Sequence, residues 1–336
     1  MKRFLSIAAV LSLVLMAGWA LAAETLNGAG STLAQPLYVA WAYTYGKVAG
    51  LQLNYQGIGS GGGIQQIESK TVDFGASDAP LSSEELRKNH LVQFPTVVGA
   101  VVPVVNIPGI KAGELRFDGP TLARIYMGEI KNWNDPAIKA LNPKVKLPDH
   151  GITIIHRSEG SGTTAIWTHF LSAVSPAWAS SVGMGTAVKW PVGIGAKGSE
   201  GVANYVKRVQ YSMGYVEFAY IQQGHMAYVL VKNKAGVYVS PTVKSFKDAA
   251  GKADFNPKTD FNLWLVNAPG KTSWPIAGGT FILMNTDLPQ AANAKVAKFF
   301  GWAFKNGDQE ALKLTFVPLP QSLKNKIMAY LKSHGV

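Results

Sequence analysis

Three short stretches put small hydrogen-bond donors directly ahead of an apolar run with helical spacing. They are Gly28-Ala29-Gly30-Ser31-Thr32-Leu33, Gly57-Ile58-Gly59-Ser60-Gly61-Gly62-Gly63 and Gly160-Ser161-Gly162-Thr163-Thr164. The first turn of a helix carries unpaired backbone N–H groups and about half a positive charge, a combination that suits an anion. Glycine lets the backbone come close to a ligand, and Ser and Thr hydroxyls add donors. Any one of these turns alone reads as ordinary capping. Three of them together read as an oxyanion seat.

Two charged residues sharpen that reading. Arg157 closes the strand-like stretch GITIIHR, four residues before Ser161. A guanidinium grips an oxyanion through two parallel hydrogen bonds. Glu159 is close enough to pair with it, and a carboxylate holding the Arg in its working rotamer is compatible with anion binding. Asp78, in VDFGASDAPL, is less intuitive, because a carboxylate repels an anion. It becomes useful if the anion carries a proton, which Asp can accept. Phosphate is protonated near neutral pH and sulfate is not, so a buried acceptor rejects sulfate by leaving a charge unbonded. Polar mismatches of this kind discriminate by ~10⁴ to 10⁵. Taken singly, Asp78 also reads as a turn or N-cap residue before PLSSEEL.

These residues need a scaffold, and the chain supplies alternating strand-like and helix-like runs. LNGAG precedes STLAQPLYVAWAYTYGKVAG, and LQLNYQGIG precedes SGGGIQQIESK. VDFGASDAPLSSEELRKN reads as strand, turn and helix, with Ser82 or Ser83 as N-cap. NWNDPAI reads as a turn. The alternation predicts an α/β fold with mostly parallel sheets. QFPTVVGAVVPVVNIPG is β-branched and interrupted by Gly99 and Pro103, as a strand crossing between two lobes would be. SWPIAGGTFILMN, Ser273 to Asn285, resembles it in composition and predicts the return crossing. AKVAKFFGWAFKNG and PLPQSLKNKIMAYLKSHG read as amphipathic closing helices.

The first residues combine Lys2 and Arg3, an apolar run and an A-x-A-like exit at Ala20-Leu21-Ala22, which predicts a signal peptide over 1–22, cut after Ala22 or Ala23. No later stretch has 18 uninterrupted apolar residues. The chain of 336 residues contains no Cys, so its core alone must hold it together, and thiol catalysis and a lipidated Cys are both excluded. Formal charge is +12, of which Lys2 and Arg3 contribute two. That balance suits an anionic ligand. The basic residues are scattered, without a run of five or the aromatic-basic alternation of a nucleic-acid groove, so no nucleic-acid partner is expected.

Hydrolysis finds little support. Neither Ser60 nor Ser161 lies in a G-x-S-x-G elbow, and no phosphate-cradling G-x-x-x-x-G-K-[ST] is present. The six His (90, 150, 156, 169, 225 and 334) are dispersed without metal-binding spacing. Binders of sulfate, molybdate or tungstate, which take unprotonated anions, would find Asp78 a liability. An exported surface protein reusing the fold is the remaining alternative.

The segments NGAGSTLAQPLY, NYQGIGSGGGIQQI, TVDFGASDAPLS, FPTVVGAVVPVVNIPG, IYMGEIKNWNDPAI, RSEGSGTTAIWTHFL and GSEGVANYVKRVQYSMGYVEFAYI, in order from about Gly28 to Val336, closely resemble the periplasmic phosphate-binding protein of bacterial ABC-type phosphate uptake systems. The resemblance implies a two-lobed type II periplasmic binding-protein fold with a two-strand hinge, 23–98 and 275–336 forming lobe 1 and 99–274 lobe 2. It implies a periplasmic monomer without catalysis or cofactor, which closes on dehydrated phosphate (or arsenate, its mimic) and docks on the membrane permease of the importer. Ligand contacts are implied for Thr32, the Leu33 backbone N–H, Ser60 and Asp78 from one lobe, and for Arg157, Ser161, Gly162 and Thr163 from the other, with Glu159 behind Arg157. Two positions depart from the family pattern. Leu33 stands where Phe is common, which is harmless if only its N–H binds. Glu159 stands where Asp is common, and its extra methylene bears on the placement of Arg157.

Overall fold

The computed structural model describes residues 24–336. The expected signal peptide and its cleavage point lie outside the described residues.

Eight strands form the main sheet: β1 (Thr25–Gly30), β2 (Gln52–Gly57), β3 (Phe74–Ser77), β4 (Leu91–Asn106), β5 (Thr153–Arg157), β6 (Ile194–Ala196), β7 (Ser212–Glu217) and β8 (Ala277–Asn285). Their order across the sheet is β2-β1-β3-β8-β4-β7-β5-β6, and two short strands, Ala227–Tyr228 and Val317–Pro318, also pair with β4. β1 runs parallel to β2 and β3, and β5 runs parallel to β6 and β7. This is the expected βαβ organisation, repeated in two groups of strands. Where the groups meet, the pairing is antiparallel, β8 lying against β3 and β4, and β4 against β7. The sheet is therefore more mixed than the alternation alone predicts. The physical reason lies in the connection: β4 leaves the first group and β8 returns to it, so neighbouring crossings must run in opposite directions.

β4 is the long crossing strand. Its 16 residues are buried up to Val105, Leu91–Ala100 pairing with β8 and Val101–Asn106 with β7. β-Branched residues suit a strand covered on both faces. Pro95, which cannot donate to the ladder, lies opposite Phe281 where the register of β8 shifts between Thr280 and Phe281.

Helices pack against the sheet. α1 (Gln35–Ala49) starts with Pro36 in its first turn and ends at Gly50, whose φ of 65° supplies the left-handed stop. Its Leu37, Tyr38, Trp41 and Tyr45 recur at helical spacing and are buried. α2 (Ser60–Glu68), α3 (Gly162–Val174) and α4 (Gly198–Arg208) follow β2, β5 and β6 respectively. The helix Ser83–Lys88 opens with a capping box in which Ser82 and Glu85 bond each other's backbone, which settles the N-cap on Ser82. Two closing helices, α5 (Gln290–Asn306) and α6 (Gln321–Ser333), match the amphipathic runs read from the sequence. The stretch read as a turn, NWNDPAI, instead begins a helix, Pro136–Leu141, with Asp135 as its N-cap and Pro136 in the first turn. Asp-Pro is a turn signal and also a helix-start signal, and here the apolar Ile138 side chain, fully buried, selects the helix.

Among the described residues, no helix is long and apolar enough to cross a membrane.

Candidate functional site

The carboxyl ends of five strands converge. β1 delivers the turn Ser31-Thr32-Leu33, β2 delivers Ser60, β3 delivers Asp78, β5 ends on Arg157, and β6 leads to Ser199. In open α/β sheets the crevice outside these ends is where ligands sit. Here two such ends face each other, one from each group of strands.

Backbone geometry makes the approach possible. Gly59 has φ 88°, and both it and Ile58 donate their N–H groups to the Gly30 carbonyl, which fixes the start of α2 against the end of β1. A Cβ on Gly63 would fall 2.6 Å from the Gly30 Cα. Across the crevice, Ser161 caps α3 by accepting the Thr164 N–H at 3.1 Å, while its own N–H donates to the Thr186 carbonyl at 2.8 Å.

The two sides touch directly. The Gly162 N–H donates to Ser60 Oγ at 3.0 Å, and the Gly61 N–H to the Gly160 carbonyl at 2.9 Å. Thr32 Oγ1 and Ser199 Oγ lie 3.0 Å apart, and the Tyr220 hydroxyl donates to the Thr32 carbonyl at 2.7 Å.

Arg157, with a side chain 1% exposed, is held from several directions. Its Nε donates to Glu159 Oε1 at 2.9 Å and its Nη2 to the same oxygen, while Nη1 reaches Thr163 Oγ1 at 3.2 Å and Ser199 Oγ at 3.4 Å. Glu159 Oε1 also accepts the Gly198 N–H at 3.0 Å. Burial would raise the Glu159 pKa, but the Arg157 hydrogen bond and charge, with that backbone donor, hold it below the ordinary carboxylate value. The longer side chain thus pairs both guanidinium donors through one carboxylate oxygen.

Asp78 is 2% exposed. Its Oδ1 accepts from Ser31 Oγ at 2.6 Å and from Thr280 Oγ1 at 2.7 Å, and its N–H donates to Ser60 Oγ at 3.1 Å. Burial pushes its carboxyl up to about 6, against the opposing pull of those hydroxyls and of the Arg157 charge.

Thr32, Ser60, Asp78, Arg157, Gly162 and Thr163 are all gathered within this one buried network, with Glu159 bonded to Arg157 and the fully buried Ser161 capping α3 beside it. The Leu33 N–H donates to Ser31 Oγ at 3.1 Å, and the Leu33 side chain is buried. Sequence reasoning missed Ser31, Ser199 and Thr280 as members. Ser31 stood in a turn already singled out, and Gly198-Ser199 opens α4 as a fourth turn of the same kind. Thr280 lies mid-strand and gives no local signal. Among the described residues no group of His, Asp and Glu could hold a metal ion.

Paired strand ends with facing helix N-termini, joined by strands that run between the two groups, define the type II periplasmic binding-protein fold. Comparison with known proteins agrees. The PBP superfamily domain matches residues 16–306. The phosphate-binding protein PstS of Pasteurella multocida is 49% identical over 313 residues, covering 93% of this chain and 91% of that protein. Its counterpart in Haemophilus influenzae is 48% identical over 313 residues, with 93% of each covered. The chain belongs to the PstS phosphate-binding protein family. Among solved structures, a phosphate-binding protein from Stenotrophomonas maltophilia superposes with a TM-score of 0.69 at 22% identity, covering 91% of this chain and 94% of that one.

Proposed function

We propose that this protein binds inorganic phosphate between its two lobes in the periplasm and delivers it to the membrane permease of an ABC-type importer, without catalysis. The observation that carries this reading is the buried pair of Asp78 and Arg157 at facing strand ends, among helix N-termini and hydroxyls. Arg157, the hydroxyls and the backbone N–H groups supply donors for phosphate oxygens, and Asp78 supplies an acceptor for its proton. The ligand contacts are Thr32, the Leu33 N–H, Ser60 and Asp78 on lobe 1, built from 23–98 and 275–336. They are Arg157, Ser161, Gly162 and Thr163 on lobe 2, built from 99–274. β4 and β8 serve as the hinge. The PstS names of the relatives support phosphate as ligand, and a structural neighbour described as a high-affinity periplasmic phosphate-binding protein, bound with phosphate, supports the compartment. Residues 1–22 act as the export signal, and the mature monomer is the working form.

Phosphate binding then proceeds by capture on one lobe and closure of the other. About ten hydrogen bonds, many charge-assisted and each worth about 1.5–3 kcal/mol, are offset by dehydration, closure and lost freedom. Micromolar or tighter affinity is expected. Calorimetry on the phosphate-stripped protein at neutral pH should show saturable one-to-one phosphate binding, competition by arsenate, and no heat with sulfate. Sulfate binding as tight as phosphate would overturn the assigned role of Asp78, and absence of phosphate binding would overturn the function.

Closure itself has a single-residue test. A Cβ on Gly162 would lie 2.4 Å from Ser60 Oγ and 2.6 Å from the Asp78 Cβ, both on the opposite lobe. Gly162→Ala should keep the wild-type melting temperature within a few degrees, because the clash arises only on closure. Overpacking of this kind costs about 1–3 kcal/mol, a roughly fivefold to 150-fold loss of phosphate affinity. Phosphate should also no longer reduce the radius of gyration in small-angle scattering. Wild-type affinity and wild-type compaction in this variant would show that the two lobes do not meet at Gly162.

A further inference from the structure

One oxygen of Asp78 carries two hydroxyl donors, and they have different standing. Ser31 belongs to the binding turn, and its Oγ also accepts the Leu33 and Ala34 N–H groups at 3.1 and 3.2 Å. Local backbone geometry therefore fixes it. Thr280 comes from β8, 202 residues further along the chain, and is fully buried. Its backbone is anchored from the other side. The Thr280 carbonyl accepts from Thr96 Oγ1 at 3.0 Å, and that hydroxyl pairs with the Tyr38 hydroxyl at 2.6 Å. The register shift between Thr280 and Phe281 lies at this point of the strand. Its neighbours, Gly278, Gly279 and Phe281, bring no polar side chain. A strand that needed only a β-branched residue here would be served as well by Val, whereas a buried hydroxyl is costly without an acceptor.

We propose that Thr280 is a specificity-positioning residue: its donation to Oδ1 fixes which Asp78 oxygen faces the cleft and keeps that carboxylate a proton acceptor. The inference rests on the phosphate reading given above and deepens it. Its physical content is a balance of charge. Close enough to act on the Asp78 charge are the Arg157 guanidinium of β5, the Glu217 carboxyl at the end of β7, and the phenols of Tyr38, Tyr55 and Tyr220. Of these only Arg157 favours the anion, and burial opposes it. The hydroxyl donors supply the rest. With one of them removed, Asp78 takes up a proton closer to neutral pH. A protonated Asp78 is a donor, and a donor accepts sulfate.

The test compares wild type, Thr280→Val and Thr280→Ser by calorimetry with phosphate and sulfate from pH 5 to 8. In the wild type, phosphate affinity should fall and sulfate binding appear as pH drops through about 6. In Thr280→Val both changes should move upward by about one unit, the tenfold effect of one hydrogen bond to a charged group. Sulfate should then bind measurably at pH 7, and Thr280→Ser should restore the wild-type profile. If Val destabilises the strand too far for purification, Thr280→Ala removes the same donor. Carbon-13 titration of the Asp78 carboxyl in the ligand-free protein gives a readout independent of phosphate. An upward displacement in the Val or Ala variant supports the proposal. An unchanged Asp78 midpoint, with sulfate still silent at pH 7, overturns it while leaving the phosphate reading intact. Failure of the wild type to separate phosphate from sulfate would remove the reading on which the proposal stands.

Discussion

Replacing Arg157 by alanine is expected to weaken phosphate binding by ~10² to 10⁴-fold, the loss of two charge-assisted hydrogen bonds at about 1.5–3 kcal/mol each. The guanidinium is buried and already aimed, with Nη1 toward Thr163 and Ser199 and Nε toward Glu159. Little rotamer entropy then remains to be lost on binding, and the long Nη1 contacts with Thr163 and Ser199 are exchanged for shorter ones to the ligand. Stability will suffer as well. Breaking a buried pair leaves an uncompensated charge, which costs about 3–5 kcal/mol. Arg157 and the backbone donor hold the Glu159 pKa low, so the stabilisation that they give is present above the ordinary carboxylate range and lost as pH falls. The double variant Arg157→Ala with Glu159→Gln removes both partners and separates the two effects. It should recover much of the thermal stability and none of the affinity. Arg157→Lys, which keeps the charge and loses the planar fork, should fall between wild type and alanine. Affinity within tenfold of wild type in Arg157→Ala would sink its assigned role.

Much of this site is legible in the sequence because its parts are local. A Gly/Ser/Thr-rich turn ahead of an apolar helical run is visible in a dozen residues, and three of them, with Arg157 four residues before Ser161, already specify an anion. What joins the parts is not local. The contacts of Thr32 with Ser199, of Gly162 with Ser60 and of Thr280 with Asp78 each span more than a hundred residues. They follow from sheet order and from two crossings in opposite directions, neither of which has a periodicity of its own. The same limit explains the strand directions around β4. It explains the helix at Pro136 differently: there the local signal was ambiguous, and burial of Ile138 decided it. The substitution of Glu for Asp at 159 is visible in sequence, but its consequence, one oxygen serving both guanidinium donors and the Gly198 N–H, depends on the fold bringing α4 beside Arg157.

Asp78→Asn is expected to have the largest effect on selectivity and the opposite effect on stability. Asparagine keeps an oxygen for the Ser31 and Thr280 hydroxyls and can place an amide donor where the second carboxylate oxygen stood. Phosphate then loses its proton acceptor, and sulfate gains a donor. A preference of ~10⁴ to 10⁵ for phosphate, of the size that buried polar mismatches produce, should collapse toward parity. The stability change follows from linkage. The Asp78 carboxyl sits at about 6 in the folded chain against 3.8 ordinarily, so the native state holds a proton that the unfolded chain has already released. Stability therefore falls as pH rises through that window, and the cost, about 3 kcal/mol, is fully present above pH 6. The asparagine variant carries no such penalty. Its melting temperature at pH 7.5 should exceed that of ligand-free wild type by several degrees, and the two should converge near pH 4. Scanning calorimetry across that range checks the stability arm, and titration with sulfate checks the selectivity arm. A variant that is more stable at neutral pH yet still rejects sulfate would mean that the carboxylate at 78 is a burden on the fold without being the element that reads the ligand's proton.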